Sequence, residues 1–192
     1  MGEWARNRSP DPEDAGLEIR LAARNLLFAS PKRYLRAMKG WPLDFKDLPE
    51  PAIPLERTFD GFLGLEWLEL TPTSARVRFE VRENLKQSLG LLHGGIYSAV
   101  AETVASAATF HAVWPDGFIG LGSRNAAHFL RPITGGHALV EAQVKHSDDH
   151  KWFWTHEFWD DEHRLCALVD VTVAVRRPPS GVSGSETGKT DR

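Results

Sequence analysis

The chain has 192 residues, 42% of them apolar, with 26 acidic and 23 basic side chains and a formal net charge of −3. That length suits one domain with extra sequence at its ends, and the near balance of charge excludes a broad basic surface for nucleic acid or anionic lipid. The single cysteine, Cys166, excludes an internal disulfide, and no Cys/His cluster has zinc-site spacing, so no metal site is expected.

The first residues, Met1–Glu18, mix Arg, Asp, Glu and Pro without the apolar segment of a secretory leader. No uncharged stretch is long enough to span a bilayer, so the expected location is the cytoplasm with no membrane partner. Residues 1–16 read as disordered. From Leu17 to Met38, Ile19, Leu21, Ala22, Leu26, Leu27, Tyr34 and Leu35 recur at helical spacing, and Pro31 breaks the run into two short helices. Residues 40–56 carry Pro42, Pro49, Pro51 and Pro54 and read as an extended connector. Residues 1–56 thus form an N-terminal extension.

The compact domain is expected over residues 57–177. Phe59–Leu63 reads as a short helical turn, and Leu65–Leu70 and Ala75–Val81 as strands. In the second strand Val77, Phe79 and Val81 alternate with Arg76, Arg78 and Glu80, so one face meets water. The loop Arg82–Leu92 leads into a helix that starts near Gly94–Gly95. After Trp114-Pro115-Asp116-Gly117 the pattern returns to strands: Ile119–Phe129, His137–His146, Trp152–Asp160 and Leu165–Arg176. Gly135-Gly136 and Asp161-Glu162-His163 supply turns between them. Trp152, Trp154 and Trp159 read as sheet packing, and Cys166, inside an apolar run, as a small buried residue. His146, His156 and His163 are scattered and read as surface or hydrogen-bonded residues, not metal ligands. The tail, residues 178–192, is rich in Gly, Ser and Thr and reads as flexible.

One long helix cannot cover both faces of six strands, so the economical architecture is α+β, a curved antiparallel sheet wrapped around that helix. The helix must then be apolar on most sides and rich in small residues. Residues 96–110, IYSAVAETVASAATF, have alanine at 99, 101, 105, 107 and 108. In such a helix the polar residues are informative. Glu102 and Ser106 are four apart and share a face. A carboxylate there is costly to bury unless it is paired or hydrogen-bonded, and the helix holds no Lys or Arg. Two readings fit: a catalytic carboxylate, or a Glu that meets solvent at a gap in the sheet or a polar subunit contact. Ser106 reads either as its companion or as a helix Ser bonded to its own backbone. His93-Gly94-Gly95 places flexible residues where backbone N–H groups lack helical partners, which is either a site for an oxygen gaining negative charge or a plain loop-to-helix turn.

The run Gln87–Ser106, QSLGLLHGGIYSAVAETVAS, resembles the active-site segment of hotdog-fold acyl-CoA thioesterases of the PaaI-like group, the 4-hydroxybenzoyl-CoA and 1,4-dihydroxy-2-naphthoyl-CoA thioesterase type. That pattern is a Gln, then G-x-x-H-G-G, then a Glu on the following helix. Downstream, Arg124–Ile133, RNAAHFLRPI, resembles the strand and turn that face CoA, and the similarity covers residues 57–177. The resemblance implies a hotdog fold and hydrolysis of an acyl thioester without a cofactor. It implies Glu102 as nucleophile or general base, the Gly94 N–H on the thioester carbonyl, Gln87 and His93 orienting the thioester, and Ser106 holding water. It also implies a CoA site lined by His128, Phe129, Leu130 and Arg131 and by Ser147, Asp148, Asp149 and His150. Relatives often have Gly, Ser, Thr or Arg at that last turn. Its two carboxylates repel phosphate, so either Lys145, His150, Lys151 or Arg131 compensates, or the substrate is an acyl-pantetheine on a carrier protein.

Gly94 and Glu102 are eight residues apart, about 12 Å along a helix axis at the standard rise, roughly twice the reach of a Glu side chain. One helix therefore does not place both on one carbonyl, whereas two antiparallel helices can. The expectation is a homodimer, or a dimer of dimers, with active sites shared between subunits. Two rival readings remain at this level. One is a hotdog dehydratase or hydratase using His93 and Glu102, and the other is a non-catalytic acyl-thioester binding module.

Overall fold

The computed structural model describes residues 53–179. The expected extension up to residue 52 and the tail from residue 180 lie outside the described residues. A 3-10 turn, Leu55–Arg57, leads to helix α1, Phe59–Leu63. Thr58 caps α1 by accepting from the Gly61 N–H, and Gly64 ends it in a left-handed conformation, φ 68°. Strands β1, Glu66–Leu70, and β2, Ser74–Glu80, form a hairpin whose turn is held by the Ser74 N–H on Thr71 Oγ1. After a 3-10 turn, Glu83–Leu85, comes helix α2, Gly94–Val113. Four strands follow: β3, Ile119–Phe129; β4, His137–Ser147; β5, Lys151–Trp159; and β6, Leu165–Arg176. Within the described residues the predicted elements are all present, with strand ends displaced by at most about a residue, whereas the two helices expected over Leu17–Met38 lie outside them.

The six strands make one antiparallel sheet in the order β1-β2-β4-β5-β6-β3. Helix α2 packs against five of the six, β2 to β6, and most extensively against β3 and β6. Contact with that many strands requires the sheet to curl around the helix, as in the expected hotdog arrangement. The core forms where the inward rows meet: Val77 and Phe79 from β2, Val140 from β4, Trp154 and Phe158 from β5, and Val169, Val171 and Val173 from β6. Val100, Ala101, Val104, Ala105 and Ala108 of α2 fill the middle, and all five are fully buried. Alanine at three of those positions lets the helix backbone approach the sheet closely. Cys166 is buried, as expected. The outward row of β2 carries ion pairs, Arg76–Glu141 at 3.1 Å and Arg78–Glu66 at 2.5 Å.

Strand β3 departs from this pattern. Sequence places it correctly but does not reveal that it ends the sheet. One side of it bonds to β6, and the other side presents the N–H and C=O groups of an 11-residue strand to no partner within the sheet. Residues 121–125 and 128–130 are exposed. A register shift between Gly122 and Arg124 marks a bulge in its pairing with β6.

Candidate active site

The start of α2 is built by the loop before it. The Gln87 N–H donates to Leu91 O, the Gly90 N–H to Gln87 O, and the His93 N–H to Leu85 O. Gly90, φ 79°, makes the sharp turn that brings Leu92 back beside Lys86. His93 is the N-cap, and its Nδ1 accepts from the Gly95 N–H at 2.9 Å. Since Nδ1 accepts, the proton of a neutral ring is on Nε2, which makes the exposed nitrogen a donor. The Ile96 N–H is taken by His93 O. The Gly94 N–H has no partner among the described residues. It therefore points a free amide from the positive end of a 20-residue helix. The Phe129 ring lies so close that a Cβ at Gly94 would be 3.1 Å from it. Phe129, 58% exposed, rests on Tyr97 at 5.4 Å between ring centroids, and Tyr97 rests on Phe158 at 5.1 Å. Burial pushes the Tyr97 hydroxyl up to about 12. An aromatic wall thus stands beside the free amide.

Two turns further along, Glu102 is half-buried, and the Ser106 hydroxyl donates to its Oε1 at 2.8 Å. The shared helix face read from sequence brings the two side chains together, Ser106 bonds the carboxylate and not only its own backbone, and the carboxylate is not left without a donor. Glu102 lies against β3 at Gly122. Between Gly122 and Phe129 on the inward row of β3 stands Asn125, whose Nδ2 donates to Ser98 O at 2.8 Å and ties the edge strand to α2. Asn125 and Gly122 were not among the residues singled out from sequence. Their partners are 27 and 20 positions away, and no local pattern announces either contact.

The other expected site residues fall into two groups. His128, Phe129, Leu130 and Arg131 lie exposed at the end of β3, where the Arg131 guanidinium is anchored on Leu165 O at 2.9 Å. Ser147, Asp148, Asp149 and His150 form the β4–β5 turn. The strand registers place this turn far from Phe129: Phe129 pairs with Ala167, whereas Lys151, next to the turn, pairs with Ala174. Seven residues of strand separate the two, about 23 Å. Within one chain, then, the two halves of the expected CoA site sit at opposite ends of the sheet. The turn also explains one of its acids. Asp148 Oδ1 accepts from the His150 and Lys151 N–H groups at 2.7 and 2.8 Å. Those amides hold its carboxyl below the usual carboxylate range. Asp148 is a turn-forming residue, and a local signal, an Asp two and three residues before the amides it caps, could have found this role.

Among the described residues no group of three or more His, Cys, Asp or Glu is arranged to hold a metal ion, and no helix is long and apolar enough to cross a membrane. A shallow polar depression of about 320 Å³ lies among Glu69, Arg76, Glu141, Lys145 and Glu157, on the side of the sheet facing away from α2.

Known proteins resemble this chain in sequence and fold. The thioesterase superfamily profile matches residues 89–167, a span that contains both Gly94 and Glu102. A Mycobacterium tuberculosis protein provisionally named an esterase is 36% identical over 127 residues, covering 64% of this chain and 91% of its own length. Its solved structure superposes with a TM-score of 0.60, covering 62% of this chain and 97% of that one. The 1,4-dihydroxy-2-naphthoyl-CoA hydrolase of Listeria monocytogenes is 27% identical over 115 residues, 60% of this chain and 93% of the relative. The proofreading thioesterase EntH of Klebsiella pneumoniae is 29% identical over 120 residues, 62% of this chain and 87% of the relative.

Proposed function

This chain belongs to the thioesterase superfamily and is a thioester hydrolase, and from that premise we propose that it hydrolyses acyl-CoA thioesters at sites shared between two subunits. The Gly94 N–H of one subunit holds the thioester carbonyl oxygen, and Glu102 of the other acts on its carbonyl carbon. The observation that carries the reading is the free Gly94 amide at one end of α2 with the Ser106-held carboxylate two turns away.

Hydrolysis needs an oxygen nucleophile and a donor for the charge that develops on the carbonyl oxygen. With Glu102 as general base, water adds to the carbonyl carbon as its proton moves to the carboxylate. The C–S bond then breaks, and the proton passes to the departing thiolate, giving free acid and thiol. With Glu102 as nucleophile, the carboxylate itself adds, thiolate leaves, and water opens the resulting anhydride. Label found in the Glu102 carboxylate after a single turnover in ¹⁸O water identifies the second route, because only there can water add to the Glu102 carbonyl of the anhydride. In either route Gln87 and His93 orient the thioester, and Ser106 fixes Oε1.

Sharing follows from distance and from the edge strand. Gly94 and Glu102 are about 12 Å apart along α2, too far for one carbonyl. An 11-residue edge with no strand partner on one side among the described residues invites a second copy of itself. Antiparallel pairing of two β3 strands places the Phe129 end of one beside the Ile119 end of the other. That brings His128–Arg131 of one subunit towards Ser147–His150 of its partner and reunites the two halves of the CoA site. The tautomer of His93 favours this role over the dehydratase reading, since its exposed nitrogen donates and does not abstract a proton. A cytoplasmic location belongs to the same proposal, supported by a lone, buried cysteine.

The test uses two inactive variants, Glu102→Ala and Gly94→Pro. Proline at the first helical position keeps the helix while removing the N–H. Mixed as unfolded subunits and refolded in equal amounts, they should regain about a quarter of native thiol release, because half of the dimers are hybrids with one intact site of two. Activity that stays at the level of the separate variants would overturn the sharing.

A further inference from the structure

We propose that Gly122, on the edge strand, is the positioning residue that sets where the Glu102 carboxylate lies. The inference rests on the assignment of Glu102 as the catalytic carboxylate. The Glu102 side chain lies flat on the Cα of Gly122: a Cβ built there would be 2.5 Å from Oε1, 3.0 Å from Cγ and 3.2 Å from Cδ. Real Cβ atoms do not come that close to an oxygen, so any residue but glycine must displace the carboxylate. Gly122 borders the bulge but has no positive φ, so the reason for glycine is space and not a left-handed backbone.

What gives way decides the consequence. The atoms above Gly122 are the far end of an unbranched side chain at a half-buried position, which can swing aside. The fold therefore tolerates the added methyl, and the cost falls on the location of the carboxylate and its 2.8 Å bond from Ser106. Gly120, the neighbouring glycine of the same inward row, behaves in the opposite way. A Cβ there would be 3.0 Å from Cβ and Cγ2 of Thr109 and 3.1 Å from Val173 Cγ1. Thr109 and Val173 are both fully buried and branched, and have nowhere to go. The two glycines thus keep the same strand close to the same helix, one for packing and one for the site.

The experiment compares Gly122→Ala with Gly120→Ala, and repeats Gly122→Ala in a Glu102→Asp background. A misplacement of about 1 Å costs roughly 10²-fold in rate, so Gly122→Ala should lose about that much kcat, with KM, melting temperature and oligomeric size close to native. Gly120→Ala should lose melting temperature first. Aspartate is one methylene shorter and lacks the oxygen that would lie 2.5 Å from the added Cβ, so it meets that methyl less severely than glutamate does. Glu102→Asp should therefore cost at least about ten-fold less in the Gly122→Ala protein than in the native one, a coupling that a merely structural role would not produce. Native kcat in Gly122→Ala, loss of the oligomer together with rate, or equal Glu102→Asp penalties in the two backgrounds would each overturn the proposal. If Glu102→Ala itself keeps turnover, the site assignment has failed. If Glu102→Ala is inactive while Gly122→Ala is native, only this inference has.

Discussion

Glu102 and Thr109 stand seven residues apart on one face of α2, each over a glycine of β3, and they differ in how their polar atoms are used. Thr109 is fully buried, and its Oγ1 accepts the Trp154 indole N–H at 2.9 Å, 45 positions away in sequence. Glu102 is half-buried and receives one hydroxyl, from its own helix. A carboxylate can accept about four hydrogen bonds, so most of its capacity is open towards the flank where the sheet ends. The difference shows how one interface can both seal a core and hold a reactive group. A polar side chain whose bonds are complete stabilises the fold, and one whose bonds are incomplete is available to a ligand.

Removing Glu102 tests that distinction most severely. Glu102→Ala should lower kcat by roughly 10³-fold or more, about 4 kcal/mol of barrier. Its melting temperature should stay level or rise, because a partly desolvated charge is gone. Thiol release from a panel of acyl-CoAs, read beside a thermal melt, measures both. A variant that loses melting temperature in proportion to rate would make Glu102 a structural residue like Thr109.

The next largest effect comes from the closed side of the interface. His156, two residues along β5 from Trp154, is fully buried, and burial lowers its pKa to about 4. Its Nδ1–H is satisfied by Val169 O at 3.0 Å, whereas Nε2 has no partner among the described residues. Burial lowers His111 to about 4 as well. The sign follows from where the proton binds. Below the unfolded value of about 6.5 the unfolded chain takes up a proton that the folded chain refuses, so stability is complete above that pH and is lost as pH falls towards 4. His156 alone should cost on the order of 2 kcal/mol between pH 7 and pH 5. Urea midpoints at the two pH values measure it, and His156→Phe should flatten the slope.

Thr109→Val keeps the shape of the side chain and removes the acceptor. The buried Trp154 N–H is then unpaired, which should cost about 1–2 kcal/mol, several degrees of melting temperature. The kcat should be close to native, since the change lies on the sealed side. A large loss of rate here would mean that the two ends of the α2–β3 contact are coupled and not separate.

How much of this was readable without coordinates divides along the same line. Local spacing carried the elements: the run of small residues in α2, the alternation in β2, and the Gly135-Gly136 and Asp161-Glu162-His163 turns. The Glu102–Ser106 pair was also legible, because four residues on a helix is a local relation. Strand ends were misplaced by about a residue because alternation alone does not mark where pairing stops. What remained hidden was long-range. Nothing in the composition of Ile119–Phe129 says that it is the sheet edge, since that depends on β6 and not β4 lying beside it. The contacts of Gly122 with Glu102, Asn125 with Ser98 and Trp154 with Thr109 each need the closed sheet to exist. Asp148 is the converse case, a local turn signal read as a ligand contact.

That turn supplies the smallest effect and the finest division between satisfied and open groups. Asp148 and Asp149 are adjacent and exposed, but only Asp148 spends its carboxylate on backbone amides. Asn replaces Asp in such turns because its amide oxygen accepts the same bonds. Asp148→Asn therefore keeps the turn and removes a charge already held by two N–H dipoles. Asp149→Asn removes a charge that no such dipoles hold. If the turn meets the CoA phosphates across the subunit boundary, each exposed charge acts through water and is screened within about 8 Å at physiological salt. Asp149→Asn should then lower KM for an acyl-CoA by about two-fold at low salt, an effect that fades as salt is raised. Asp148→Asn should lower it less. Neither change should alter KM for the same acyl group on pantetheine, which lacks those phosphates. A KM that falls equally for both substrates would place the turn beside the acyl group instead and would break the shared-site geometry that joins it to Phe129.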